Sequence, residues 1–466
     1  MQIPVLSGIY TDEASDFRTS YPFNMVPVPV SQGTSSGYLK YAEGVDQFAG
    51  GPGVARATIN WNDICYSVMG SKLVVVNADG TTTVIGDVGS GGTATLDYSF
   101  DRLAVVSNKN LFYYDGSELQ QVTDPDLGDA LDVIWVDGYF MTTDGEFLVV
   151  TELNDPFAID PLKYGSSEAD PDPIKALLKL RNEPYALNRY TIEVFDNIGG
   201  TGFPFQRIDG AQIQRGVIGT HMCAVFLEAV AFVGGGRHES ISVWLGANGS
   251  STRLATREID LILAEYTEEQ LETSFVEARV DKGHQLLLIH LPDRTLVYDA
   301  AASATIGQPV WFELGSSLER GSTYRARHLV WCYDQWLVGD TQKPNIGSMN
   351  RASGEHWGET VGWEFGTLII YNEGNGAIFH ELELVALSGR SELGKTSTVW
   401  TQYSLDGEAW SMPKGISAGR RGRRDKRLVW LSQGPMRHWR IQRFQGTSDA
   451  RLAVSRLEAR LEPLVV

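Results

Sequence analysis

Short runs of apolar, β-favouring residues, broken by Asp, Gly and Asn, recur along most of the chain. "KLVVVNADGTTTVIGDV" begins at Lys72, "NLFYYDGSELQQV" at Asn110, "YFMTTDGEFLVVTEL" at Tyr139 and "RYTIEVFDNIG" at Arg189. "AVAFVGGGRHESISVWLG" follows at Ala229, "HQLLLIHLPDRTLVYDA" at His284 and "HLVWCYDQWLVGD" at His328. Each reads as a hairpin. The Asn-Ala-Asp-Gly, Tyr-Asp-Gly and Thr-Asp-Gly tips supply residues that tolerate the positive φ of tight turns. In the His284 run two apolar strands flank the polar break Leu291-Pro292-Asp293-Arg294. Successive starts lie 38, 29, 50, 40, 55 and 44 residues apart, centred near the roughly 40–50 residues of a four-stranded propeller blade. No Trp-Asp or Kelch signature accompanies them. The pattern predicts an all-β chain with a degenerate β-propeller of about six blades over residues 51–353, an arrangement that shields strand edges. A pair of unrelated β-sandwiches is the alternative.

Two segments break the rhythm. Residues 154–174, "NDPFAIDPLKYGSSEADPDPI", are rich in Pro, Asp and Ser and read as a long ordered surface loop. Within 257–276, Ile259, Ile262, Leu263 and Tyr266 recur at helical spacing, and Thr267 opens a capping-box pattern for a second short helix. Residues 1–50 form an N-terminal arm with the first strands. Past about Gly354 the character changes to strict alternation. In "RHWRIQR", Arg437, Trp439, Ile441 and Arg443 share one face and His438, Arg440 and Gln442 the other. Residues 354–466 therefore predict a separate antiparallel β-sandwich of about five to eight strands. Its loop 415–427, "GISAGRRGRRDKR", is Gly-rich and strongly basic, hence exposed and mobile.

Composition fits many tight turns: 49 glycines and 10% aromatics in 466 residues. No stretch approaches the 18 apolar residues of a membrane span, so no membrane insertion is expected. The start lacks a basic segment followed by an apolar one, so no secretory signal is expected. Cys65, Cys223 and Cys332 are far apart and sit in apolar settings, which predicts buried free thiols in a reducing compartment. The net charge of −19 is uneven. Lys414 to Arg460 carries 13 Lys/Arg against three acids, leaving −29 on the remainder. Such an acidic body repels DNA, while the basic end suits an acidic partner or another copy of the body.

Candidate chemistry is sparse. Asp124, Asp126 and Asp129 lack the Gly and terminal Glu of a calcium loop and read as a solvated turn. His284 and His290 share a strand face with no third ligand nearby and read as structural. His238-Glu239 is not a zinc-protease motif, and Gly199-Gly200-Thr201-Gly202 lacks the Lys-Ser/Thr of a phosphate loop. In "YSLDGEAW", Trp410 either stacks on sugar or packs inward, the plainer account. The cluster Arg420, Arg421, Arg423, Arg424, Lys426 and Arg427 could grip phosphate, contact acidic protein, or stay solvated. No catalytic residue, metal site or cofactor is singled out.

Several passages resemble one family. They are "SSGYLKYAEGV" (35–45), "GVAR" (53–56), "GSKLVVV" (70–76), "IGDVGSGG" (85–92) and the 154–174 loop, preceded here by Leu153 where the family has Asp. "YTIEVFDNIG" (190–199), "PFQRIDGAQIQRGVIGT" (204–220), "AEYTEEQLET" (264–273) and the His284 run continue the likeness, the last being the most specific. The chain resembles the packaged-DNA stabilisation proteins that form the tail hub, or nozzle, of short-tailed bacteriophages of the Salmonella-phage type. The likeness spans about residues 30–345, and the basic loop lies outside it. The resemblance implies a β-propeller with extra β-domains and no enzyme activity. It implies a homo-oligomer, a ring of six, below the portal and its adaptor. The ring would be closed distally by a needle or plug, carry fibres or spikes, and pass packaged double-stranded DNA without sequence-specific binding. It also implies a virion protein made in the host cytoplasm. A propeller glycosidase or carbohydrate-binding tail protein is the alternative and would place two or more carboxylates at a central pocket.

Overall fold

The computed structural model describes residues 2–3, 21–30, 36–153, 155–372, 375–391, 394–395 and 397–464. Part of the N-terminal arm (1, 4–20 and 31–35), the start of the 35–45 passage and Asn154 lie outside the described residues.

Among these residues the propeller has seven blades, one more than expected from the spacing. Each of the seven hairpin runs found in the sequence falls in a different blade. The inner strands are Ala55–Trp61, Thr95–Tyr98, Asp132–Val136, Ile174–Leu180, Cys223–Phe226, Phe275–Asp281 and Ala326–Cys332. Each touches the next, and the seventh returns to the first, so the ring closes. Closure is not made by chain order. Gly44–Gly50, which the sequence places in the N-terminal arm, is the outer strand of blade 7 and pairs with Asn345–Asn350 from Asn345↔Gly50 to Asn350↔Gly44. This ties strands some 300 residues apart into one sheet.

The tightest turns join the first two strands of the blades. Asn62-Asp63, Arg181-Asn182, Leu227-Glu228 and Tyr333-Asp334 all hold positive φ at both positions. Such two-residue turns match the right-handed twist of the flanking strands. Asp137-Gly138 and Lys282-Gly283 do the same work in blades 3 and 6. In the His284 run, His284–His290 and Thr295–Asp299 are the two middle strands of blade 6, with Leu287 and Ile289 wholly buried.

The 154–174 segment is more regular than expected. Asp155–Ile159 completes blade 3, a short turn covers Pro161–Lys163, and Gly165–Ser166 adds a further pair. Phe157 supplies the reason, since its ring packs edge-on to buried Tyr113 of blade 2. The two helices are Arg257–Ala264 and Glu268–Glu272, the second with a complete Thr267–Gln270 capping box. Ile259, Leu263 and Leu271 bury their apolar faces. A third helix, Ala300–Ile306, was not anticipated. Asp299 caps it by accepting from the amides of Ala301 and Ala302.

The sandwich is built from both ends of the chain. One sheet runs Met25–Pro29, Gly37–Tyr41, Ala453–Pro463, Ala377–Leu387, Leu428–Leu431, and the other Gly362–Gly366, Trp439–Thr447, Thr398–Ser404, Lys414–Ser417. Trp363, Phe365, Phe379 and Phe444 fill the space between them. Buried Asn24 joins the two domains. Its amide donates to the carbonyls of Gly315 and Gly362 at 3.1 and 2.7 Å and accepts from Gly315 N at 3.0 Å. Beside it, Arg320 pairs at 2.7 Å with Glu313 of blade 6 and at 2.7 Å with Glu364 of the sandwich.

Candidate functional site

Two places collect polar chemistry: the propeller axis and the basic loop. On the axis, residues of all seven inner strands or their approaches surround a cavity of about 370 Å³. Asp97, Asp132, Lys179, His221, Glu277 and His328 line it.

The carboxylates answer a need of the fold. An inner strand is a sheet edge, and its outward N–H groups have no partner within the blade. Asp97 of blade 2 accepts Trp135 N of blade 3 at 2.6 Å. Asp132 of blade 3 accepts Leu177 N of blade 4 at 2.8 Å. Glu277 of blade 6 accepts Leu329 N of blade 7 at 2.8 Å. Three seams are thus closed by a side-chain carboxyl aimed at the next blade's backbone. The second oxygen of Asp97 takes Tyr98 N at 2.9 Å, and that of Asp132 takes Val133 N at 2.9 Å. The seam between blades 1 and 2 uses a cation instead. Buried Arg56 donates to the carbonyls of Gly92, Gly70 and Gly89 and to Ser107 Oγ, at 2.6 to 2.9 Å.

Burial sets the ionisation of these groups. It pushes Asp132 up to about 7 and raises Asp97, with Lys179 pulling Asp97 back. It lowers His221 to about 4 and drives His328 well below the usual imidazole range, with Arg327 adding to the effect. His328 also holds a left-handed φ of 59°, where the pairing of its strand shifts register.

A nucleophile–base–acid order exists in blade 6. Thr295 Oγ1 lies 3.1 Å from His290 Nδ1, and His290 Nε2 lies 2.8 Å from Glu277 Oε1. Thr295 and His290 are both fully buried, so no substrate reaches the hydroxyl. Both oxygens of Asp97 and of Asp132 are held by backbone amides.

The other residues singled out in the sequence fall elsewhere. His284 Nδ1 sits 2.6 Å from Asp299 Oδ2, apart from His290. Asp124 accepts the Asp126 amide within its own turn, and Asp129 pairs with Lys109 at 2.8 Å. Trp410 is half-buried beneath the Arg443 guanidinium, 4.1 Å from the ring centre. Cys65, Cys223 and Cys332 are buried and unpaired, and burial raises all three thiols.

In the basic loop, Arg420, Arg421, Arg423 and Arg424 are exposed and Lys426 is half-buried. Arg427 is neutralised by Glu383, its Nε lying 2.7 Å from Oε1. Arg423 comes within 3.8 Å of Asp425. The loop backbone makes contacts to the Ser388–Gly389 turn. Ser388 Oγ donates to Lys426 O at 2.9 Å, and Gly422 N donates to Gly389 O at 2.9 Å.

Residues 1–354 match the family described as Bacteriophage P22 Gp10, beta-propeller. The chain belongs to this family. Residues 362–462 match the companion beta-sandwich of Bacteriophage P22 Gp10, so both domains of the Gp10 family are present. A curated Gp10-family relative, the tail hub protein gp10 of Salmonella phage P22, is 25% identical over 483 residues, covering 99% of each chain. Among solved structures, the N-terminal domain of Nup159 overlays with a TM-score of 0.42 at 9% identity, covering 71% of this chain and 99% of its own. The Neurospora crassa Pan2 WD40 domain overlays at 0.41 and 8% identity, covering 64% and 90%.

The axial carboxylates of this Gp10-family propeller escaped the sequence reading. "TLDY", "LDVI" and "VEAR" each place one acid inside an apolar run. That single acid in an inner strand was the available signal.

Proposed function

We propose that this chain is a structural tail hub of a short-tailed phage. In this reading, copies form a closed ring, six in number, that extends the DNA channel below the portal and adaptor. The ring retains the packaged genome until ejection and is closed below by a needle or plug. The chain would be made in the host cytoplasm and carried in the virion. The observation that carries the reading is the likeness to a tail hub protein along 99% of both chains, through propeller and sandwich alike.

The physics suits a mechanical role without turnover. A wall under internal pressure needs stiffness, and close-packed blades tied across their seams by side-chain hydrogen bonds transmit load with little strain. A ring of identical copies uses two different patches on each copy. The −29 carried outside residues 414–460 would let DNA slide through the lumen, because no row of cations exchanges for its counterions. The test is the size and shape of the full chain, alone and on virion tails, by sedimentation and electron microscopy. A ring of about six 51.3 kDa chains is expected. A lone particle in the intact virion, or a strongly positive lumen in the assembled ring, would overturn the reading.

A further inference from the structure

Charge in this molecule is sorted between propeller and sandwich. Residues 110–162 contain twelve Asp and Glu and not one Lys or Arg. They form the outer half of blade 2, the connection to blade 3, and nearly all of blade 3. Asp115, Glu118, Asp126, Asp129, Glu146 and Asp155 are exposed there. Cations from neighbouring residues meet this surface where Lys109 pairs with Asp129, Lys163 with Glu152, and Arg102 and Lys179 lie over the rings of Phe157 and Trp135.

The basic loop is the counterpart, and it is built. Gly389 holds φ of 73°, and a Cβ there would lie 2.6 Å from the backbone of Arg423. The loop therefore sits directly on this glycine, fixed further by the Ser388 hydroxyl. From that seat the side chains of Arg420, Arg421, Arg424 and Lys426 reach no partner among the described residues. Four cations on a fixed backbone lose little freedom on binding.

Placement completes the case. The sandwich is attached at blades 6 and 7. Phe23 bridges Glu313 of blade 6 and Glu364 of the sandwich, and Lys395 reaches Glu355 at 2.6 Å beside the end of blade 7. With seven blades, the seam between 6 and 7 faces blade 3 across the axis. A head-to-tail ring needs two different, complementary patches on each copy.

We propose that the basic loop of one copy docks on the acidic turns of blades 2 and 3 of the next copy. This rests on the ring reading and names the contact that would hold the ring.

The test uses the full chain with two charge reversals: Arg420→Glu with Arg421→Glu and Arg424→Glu, and Asp126→Lys with Asp129→Lys and Asp155→Lys. All six positions are exposed; Asp129 gives up its exposed pair with Lys109 and Asp155 its contact with the Phe157 amide, so circular dichroism and melting first establish that each reversed chain keeps the parent fold. Each reversed chain alone should self-associate on the order of 100-fold more weakly, since like charges placed across an interface cost several kcal/mol. Mixing the two should restore association between unlike chains, and added salt should weaken the parent. If the parent forms rings and both reversals do so equally well, the docking is wrong while the ring stands. If the parent remains single both free and on virion tails, the ring reading fails with it.

Discussion

His290 Nε2 lies 2.8 Å from Glu277 Oε1, while the other oxygen of Glu277 takes Leu329 N at 2.8 Å across the seam between blades 6 and 7. One buried carboxylate thus serves a side chain of its own blade and the backbone of the next. Glu277→Ala would leave both donors buried without an acceptor and should cost about 3 kcal/mol of stability. Glu277→Gln keeps a carbonyl for the amide and an N–H for the imidazole, and should cost about 1 kcal/mol. Urea unfolding of the two variants checks the order.

Acid should destabilise the protein, and Asp132 should oppose it. Burial lowers His221 and His356 to about 4, and it lowers His290 and His328 as well. An unfolded histidine takes its proton near 6.5. Between those values unfolding binds protons, so stability falls as the pH falls. Asp132, raised to about 7 by burial, does the reverse, because the folded chain holds a proton that the unfolded chain has released. Asp97 and Asp172 are raised by burial as well and act in the same sense as Asp132, but four lowered imidazoles against them predict a net loss from about pH 6.5 towards 4. Asp132→Asn removes one opposing group and should steepen the decline. Urea midpoints across that range at constant salt measure both slopes.

Arg440 is wholly buried between the rings of Phe379 and Tyr403, 4.3 and 3.9 Å from their centres, with no carboxylate paired to it among the described residues. It donates to Gln442 Oε1 and to Gln433 O, and burial lowers its pKa to about 10. Arg440→Ala leaves those acceptors bare and opens a cavity, at a cost of about 3–5 kcal/mol. Arg440→Lys loses the flat stacking face and the forked donors, so it should recover no more than about half of that loss. Thermal unfolding of the sandwich separates the two.

Leu227 and Glu228 hold φ of 53° and 55° in the inner turn of blade 5. Side chains pay about 1–2 kcal/mol in this region, and glycine does not. Glu228→Gly should therefore stabilise the chain by about 1 kcal/mol, read as a higher urea midpoint with unchanged slope.

Seven hairpin runs in the sequence became seven blades because a hairpin is written locally, in alternation and in turn residues. The Asp-Gly tips that marked them lie further out in the blades, Asp79-Gly80 and Asp115-Gly116 between third and fourth strands and Asp144-Gly145 between second and third. Inner turns made of Leu227-Glu228 or Tyr333-Asp334 carry no such mark, which blurred the blade count. The basic loop was visible as composition. Its seat was not, because Ser388 and Gly389 come from a different strand connection. The functional reading came from family resemblance, since no arrangement of reactive groups announces a wall.

Taken alone, the sequence determined an all-β chain, recurring hairpins, a change of character near residue 354 and a sorted charge, all properties of neighbouring residues. Only the tertiary structure decided that Gly44–Gly50 closes blade 7, that Met25–Pro29 and Gly37–Tyr41 join the sandwich, and that Asp97, Asp132 and Glu277 brace the axis. An acid in an apolar strand reads the same whether it faces water or a neighbour's unpaired amide. What distinguishes the two is the blade beside it, brought there by the closing of the ring.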